Sequence, residues 1–112
     1  MNKHEIRKDM SRQLCRLFFS NVDYLRSKRG LNMAMLRDGI RSEGFSVSDK
    51  CVYRYLGRGK VDYFKADTFY LAAFAEFFGE PLGRMLSVDY KAEAVARGEV
   101  LPGKVGKRKS IK

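Results

Sequence analysis

A chain of 112 residues holds one compact core and is too short for a barrel, a doubly wound sheet or a second full domain. Lys and Arg number 23 against 13 Asp and Glu, and the formal charge of +10 points to a polyanionic partner, nucleic acid before an anionic membrane. Apolar residues make up 45% of the chain, with eight Phe and six Tyr, so a folded protein is expected rather than a disordered basic segment.

The charge is unevenly placed. Residues 1–60 carry 14 basic and 6 acidic groups, 61–103 carry 4 and 7, and 104–112 carry 5 basic groups and no acidic one. Such a division suggests a basic working surface, a helical support and a basic tail. Cys15 and Cys51 lack a closely spaced partner and sit among apolar residues, as buried free thiols do, which fits a reduced, cytoplasmic setting. Arg7, Lys8, Arg12 and Arg16 interrupt any apolar stretch ahead of Leu17-Phe18-Phe19, so no signal peptide is read. The richest apolar run, Phe69 to Phe78, is about half a bilayer span and contains Glu76, which places it in a core.

Ile6, Met10, Leu14, Leu17, Phe18, Val22 and Leu25 recur at spacings of three and four, which predicts a first helix with one apolar stripe, stopping at Arg29-Gly30. Asn32 is a good N-cap for a second helix with Met35, Leu36 and Ile40 inward, ending near Glu43 before Gly44, and weakened in its middle by Gly39. Ser46-Val47-Ser48-Asp49 has the form of a capping box for a third helix with Val52, Tyr55 and Leu56 on one face, closed by Gly57-Arg58-Gly59. A fourth helix is expected from about Asp67 to Phe78, buried along Leu71, Phe74, Ala75 and Phe78, and Pro81 opens a short fifth through Leu86. Beyond Ser87, Asp89 to Arg97 reads as a short further helix, after which Gly98, Pro102, Gly103 and Gly106 break the chain.

These elements divide the chain into a domain over 1–87, a short helix and linker over 88–103 with a candidate role in dimerisation, and a basic tail over 104–112 expected to be mobile. Met85, Val88 and Tyr90 are the dimer candidates, with ordinary packing of the fifth helix on the fourth as the alternative reading.

The third helix sets Ser48, Asp49, Lys50, Tyr53 and Arg54 opposite its apolar line, the short polar and long basic groups that a base-reading helix needs near its N-terminus. Arg54 suits a fork onto guanine, Lys50 guanine or phosphate, Asp49 the cytosine amino group and Tyr53 a thymine methyl or a phosphate, while Ser48 is tolerant. Asp49 fits a helix cap as well, and its charge opposes phosphate. Arg26, Lys28, Arg29, Arg58 and Lys60, with Lys104, Lys107, Arg108 and Lys109 of the tail, are phosphate candidates that would fix register without reading sequence. Arg26, Lys28 and Arg29 also suit a solvated helix end complementing the dipole.

Arg26-Ser27-Lys28-Arg29-Gly30-Leu31-Asn32, followed by Val47-Ser48, Val52 to Tyr55 and Gly57-Arg58-Gly59, resembles the helix-turn-helix of Cro/C1-type (XRE-like) repressors, and Leu71, Phe74, Phe78-Gly79, Leu82, Met85 and Leu86 resemble that family's last two helices. The resemblance covers roughly residues 18–87. It implies an all-α, five-helix lambda-repressor-like domain whose third helix reads the major groove of double-stranded DNA, a homodimer, and a transcriptional repressor of phage or mobile-element type. Met33 stands where the family often carries a phosphate-binding Gln, Arg37 where a small Ala lets the two helices pack, and the stretch from Leu36 to Val47 is longer than usual.

Other classes find less support. His4 is the only histidine, so neither a His-based triad nor a His metal site assembles, and no enzyme, metal, cofactor, small-molecule ligand or membrane is expected. Gly98 to Lys104 spells a phosphate loop, yet it lacks the Ser or Thr after Lys104 and follows no apolar strand. The alternatives are an antitoxin-like or phage-encoded protein-interaction module on the same fold, and a sequence-blind nucleic-acid binder acting through the tail.

Overall fold

The computed structural model describes residues 2–47, 52, 56 and 68–101, and every element among them is a helix. Helix α1 spans Lys3–Lys28. Its start is fixed by a capping box in which the Asn2 side chain accepts from the Glu5 backbone N–H at 2.9 Å and Glu5 reaches back to Asn2 N at 3.4 Å, so His4 lies in a capped first turn. The rod is about 39 Å long at 1.5 Å per residue. It ends because Gly30 adopts φ +72°, a left-handed conformation that costs glycine nothing and lets Leu31 N bond back to Arg26 O at 3.0 Å.

Helix α2 spans Met33–Ser42, with the Asn32 side chain accepting from Met35 N at 2.8 Å as its N-cap. Helix α3 covers Thr68–Phe78, α4 is the single turn Leu82–Met85 after Pro81, and α5 covers Tyr90–Ala96, capped by Asp89 accepting from Ala92 N at 3.1 Å. Of the segment expected to form a further helix between α2 and α3, Val52 and Leu56 are described and both are helical.

The second half of α1 is the spine. It packs against α3, α4 and α5, while α2 packs against α3. Phe18, Phe19 and Val22 of α1, Leu36 and Ile40 of α2, Phe74 and Phe78 of α3, and Val47, Val52, Leu56, Met85 and Ala94 close one core. Phe19 meets Phe18 and Phe74 edge to face, at centroid distances of 4.9 and 5.6 Å. Gly39, a liability by helix propensity, has a packing reason: a Cβ there would lie 2.5 Å from the Phe77 ring.

Asn21 does what no local pattern announces. Fully buried, it donates to Met85 O at 2.8 Å and Val88 O at 2.7 Å and accepts from Tyr90 N at 2.9 Å, tying α1 to the chain between α4 and α5. Each backbone group it satisfies would otherwise be an expensive unpaired dipole.

Two expectations change. Met35, read as inward, is 51% exposed, because Leu36 and Ile40 take the buried side of α2. Ser46 and Val47, read as a helix start, are not helical. The short helix read over Asp89 to Arg97 is present as α5, and it docks on α1 with Tyr90 and Ala94 buried.

Candidate nucleic-acid interface

The unit that could present a reading helix begins at α2. Its chain leaves the helix at Glu43 and runs through residues 43–47 without helical structure, a longer turn than the resemblance implies. Two bonds hold the turn: Phe45 N donates to Ile40 O at 3.3 Å, and Arg41 Nε donates to Val47 O at 2.6 Å. Val47 is buried, and Val52 and Leu56, four residues apart, put their side chains into the same core as Leu36 and Ile40. The base-reading candidates Ser48, Asp49, Lys50, Tyr53 and Arg54 lie outside the described residues, as do Arg58, Lys60, Lys104, Lys107, Arg108, Lys109, Cys51 and Tyr55.

Around the turn, Arg41, Gly44, Phe45, Ser46, Val47 and Tyr70 line an open cleft of about 610 Å³. Phe45 and Tyr70 both stand edge to face with Phe69, at 5.8 and 5.4 Å, so the aromatic wall is braced by α3. A guanidinium and a phenol at one rim are donors of the kind that hold a phosphate oxygen. Sequence reasoning missed Arg41 and Tyr70, since their proximity depends on α2 and α3 meeting. Arg37, in the position of the family's small Ala, lies along α2 with Nε donating to Asp38 Oδ1 at 2.8 Å, and that bond holds the Asp38 carboxyl below its ordinary range.

Of the phosphate candidates at the end of α1, Arg26 is buried, and Lys28 and Arg29 are exposed. Arg26 is 5% exposed: Nη1 donates to Leu31 O at 2.8 Å and Nη2 to the Asp23 carboxylate, which binds the turn after α1 to the helix. A buried guanidinium so engaged cannot track a DNA backbone. Arg29 donates from Nη2 to Phe78 O at 3.0 Å and lies 4.9 Å over the Phe78 ring, capping the C-terminus of α3 where a cation is favoured. Lys28 is exposed, with Nζ donating to Tyr24 Oη at 3.2 Å and lying 3.6 Å from Glu99 Oε1. The hydrogen bond with Tyr24, then Glu99, raises the Lys28 pKa, while bonds from Arg97 and Tyr24 lower that of Glu99.

Two of the three dimer candidates, Met85 and Tyr90, are core residues of the protomer. Met85 is fully buried, Tyr90 nearly so, and half-buried Val88 gives its carbonyl to Asn21. Met85 and Tyr90 offer almost no side-chain surface to a second copy, because α5 folds back on α1, while Val88 keeps part of its surface exposed. The Tyr90 hydroxyl donates to Glu80 Oε1 at 2.8 Å, and burial, with that bond, pushes its pKa up to about 12.

Comparison of the chain with protein-family models, with curated proteins and with solved structures finds no match. Among the described residues no group of three or more His, Cys, Asp or Glu is placed to hold a metal ion, and no helix is long and apolar enough to cross a membrane.

Proposed function

We propose that this protein is a sequence-specific double-stranded DNA-binding regulator of transcription, a repressor that reads the major groove with the helix carrying Val52 and Leu56. One observation supports this reading most directly. Val52 and Leu56 are helical and buried in the core that also holds Leu36 and Ile40 of α2, which supports a second helix set against the first. On such a helix the positions interleaved with the apolar line are polar or basic, and Arg54, Lys50, Ser48, Asp49 and Tyr53 meet base edges. Arg58, Lys60 and the tail lysines follow the phosphates, and the cleft with Arg41 and Tyr70 takes one more backbone contact. The charge of +10 supports a polyanion as partner. The regulator works as a homodimer on two half-sites about one DNA turn apart, since one short helix buries too little surface for tight specific binding.

The test is selection of bound duplexes from a random pool, followed by anisotropy titrations. A two-fold-symmetric motif is expected, with affinity falling about a thousandfold from low to moderately raised salt if some six phosphates are neutralised. Arg54→Ala should relax preference at one base pair at a cost of about 1–3 kcal/mol, whereas Lys60→Ala should weaken all sequences alike. A flat salt response, or uniform loss in both variants, sinks the proposal.

A further inference from the structure

The first half of α1 carries an apolar stripe that the protomer leaves uncovered. Ile6, Met10 and Leu14 are 44%, 59% and 48% exposed, although they continue the spacing that leads to buried Phe18 and Val22. Over the first 12 residues of α1, about 18 Å of helix, the half-buried residues Lys8, Asp9, Ser11 and Arg12 lie on the side away from this stripe, and the apolar side is the open one. With half-buried Leu17, the three exposed side chains fall within about 80° of arc, a narrow seam of the width that a single partner helix covers.

We infer that this seam is the contact surface for a second copy of the chain, the two α1 helices packing antiparallel about a two-fold axis at Met10. The spacing is self-complementary: Ile6 and Leu14 each lie four residues from Met10, so the axis sets Met10 on its own copy and Ile6 on the partner's Leu14, twice over. Charge chooses the direction. A parallel pair sets Lys3 on Lys3 and Arg7 on Arg7 beside the seam. The antiparallel pair carries Arg7 of each copy to the level of the partner's uncharged Gln13 and Leu14, and brings Asp9 of each toward the half of the partner that carries Arg16. The two helix dipoles then oppose rather than align.

The contact area decides the strength. Two such faces fall short of the roughly 1,200 Å² at which standard stable interfaces begin, so association is weak and concentration-dependent in the free protein. On a duplex that holds both copies, the same contact becomes effectively intramolecular. The interface itself does not depend on DNA binding and is measured without DNA.

Sedimentation velocity of the full chain from micromolar to near-millimolar concentration should show a monomer–dimer equilibrium, and Met10→Asp and Leu14→Asp should each weaken it about tenfold or more with circular dichroism unchanged. Oxidative cross-linking reads the register. Met10→Cys should link to itself, while Ile6→Cys and Leu14→Cys should link only when mixed, because Ile6 of one copy lies about 12 Å along the axis from its counterpart, beyond disulfide reach. Mass mapping of the linked peptides separates these products from any involving Cys15 or Cys51. A wild type that stays monomeric throughout, or that Met10→Asp and Leu14→Asp leave equally associated, overturns the inference, as does Ile6→Cys linking to itself. Phosphatidylserine-vesicle binding abolished by Met10→Asp would assign the seam to a membrane surface and overturn it equally.

Discussion

The two halves of α1 are written in one hydrophobic period and live in different surroundings. From Cys15 onward the helix is held on several sides, with Phe18, Phe19 and Val22 in the core and Asn21 bonded to the chain between α4 and α5. Before Cys15 the same spacing carries Ile6, Met10 and Leu14 into the open, while Lys8, Asp9, Ser11 and Arg12 on the opposite side of the helix are half-buried and the Asn2–Glu5 capping box fixes its start. Periodicity therefore tells which side of a helix is apolar, and the rest of the chain decides whether anything covers it. Capping explains why an uncovered half can still be helical: it satisfies the orphan donors at the start, and the covered half supplies the nucleus from which the turns propagate.

That contrast can be broken by mutation. The largest effect is expected for Phe19→Ala, which removes an edge-to-face partner of Phe18 and Phe74 and leaves a cavity, costing about 4 kcal/mol in chemical denaturation. Asn21→Leu comes next, at about 3 kcal/mol, because it strands two carbonyls and the Tyr90 N–H without partners. A loss below 1 kcal/mol would mean that water replaces the amide and that α5 is not pinned as described.

Tyr90 gives the contrast a pH signature. In the fold its phenol titrates at about 12, against 10.0 ordinarily, because burial and the bond to Glu80 favour the neutral form. An unfolded chain releases this proton near pH 10 and the folded one holds it, so the contribution is fully present below pH 10 and is lost as pH rises toward 12, on the order of 2 kcal/mol in all. Tyr90→Phe should cost about 1 kcal/mol at neutral pH and flatten that part of the alkaline profile, as read in denaturant titrations at stepped pH. An unchanged alkaline slope would place the phenol in water.

The smallest effect belongs to the open half. Leu14→Ala should change protomer stability by no more than about 0.5 kcal/mol in dilute solution, since the side chain is already half in water and alanine favours the helix. A cost near that of Phe19→Ala would erase the difference between the halves.

Of the candidate interface, the apolar support was legible and the charged periphery was not. Val52 and Leu56 stood four apart in the sequence and share the core, as the spacing predicts. Arg26 and Arg29 read as cations beside a helix end, yet buried Arg26 is held by Leu31 O and Asp23, and exposed Arg29 donates one bond to Phe78 O. A long flexible cation bonds whatever acceptor the tertiary structure brings within reach, and in Arg29 that acceptor lies 49 residues away. For Met85 and Tyr90 the sequence left a dimer surface and ordinary packing both open, because nothing in their own segment decides between them; α5 turning back onto α1 buries both.

The sequence by itself determined that every element among the described residues is a helix, and most of their boundaries. Asn32 and Asp89 cap from within three residues, Gly30 and Gly44 take the left-handed turns that end α1 and α2, and Pro81 opens α4; each is a local event settled by a few neighbouring atoms. Only the tertiary structure decided which apolar residues are core, which cations are occupied and why Gly39 is tolerated, since each of these depends on what a distant segment places alongside. The seam of Ile6, Met10 and Leu14 is the clearest case: its atoms are as apolar as those of Phe18 and Val22, yet its side chains stay about half exposed because the fold leaves that side of α1 open.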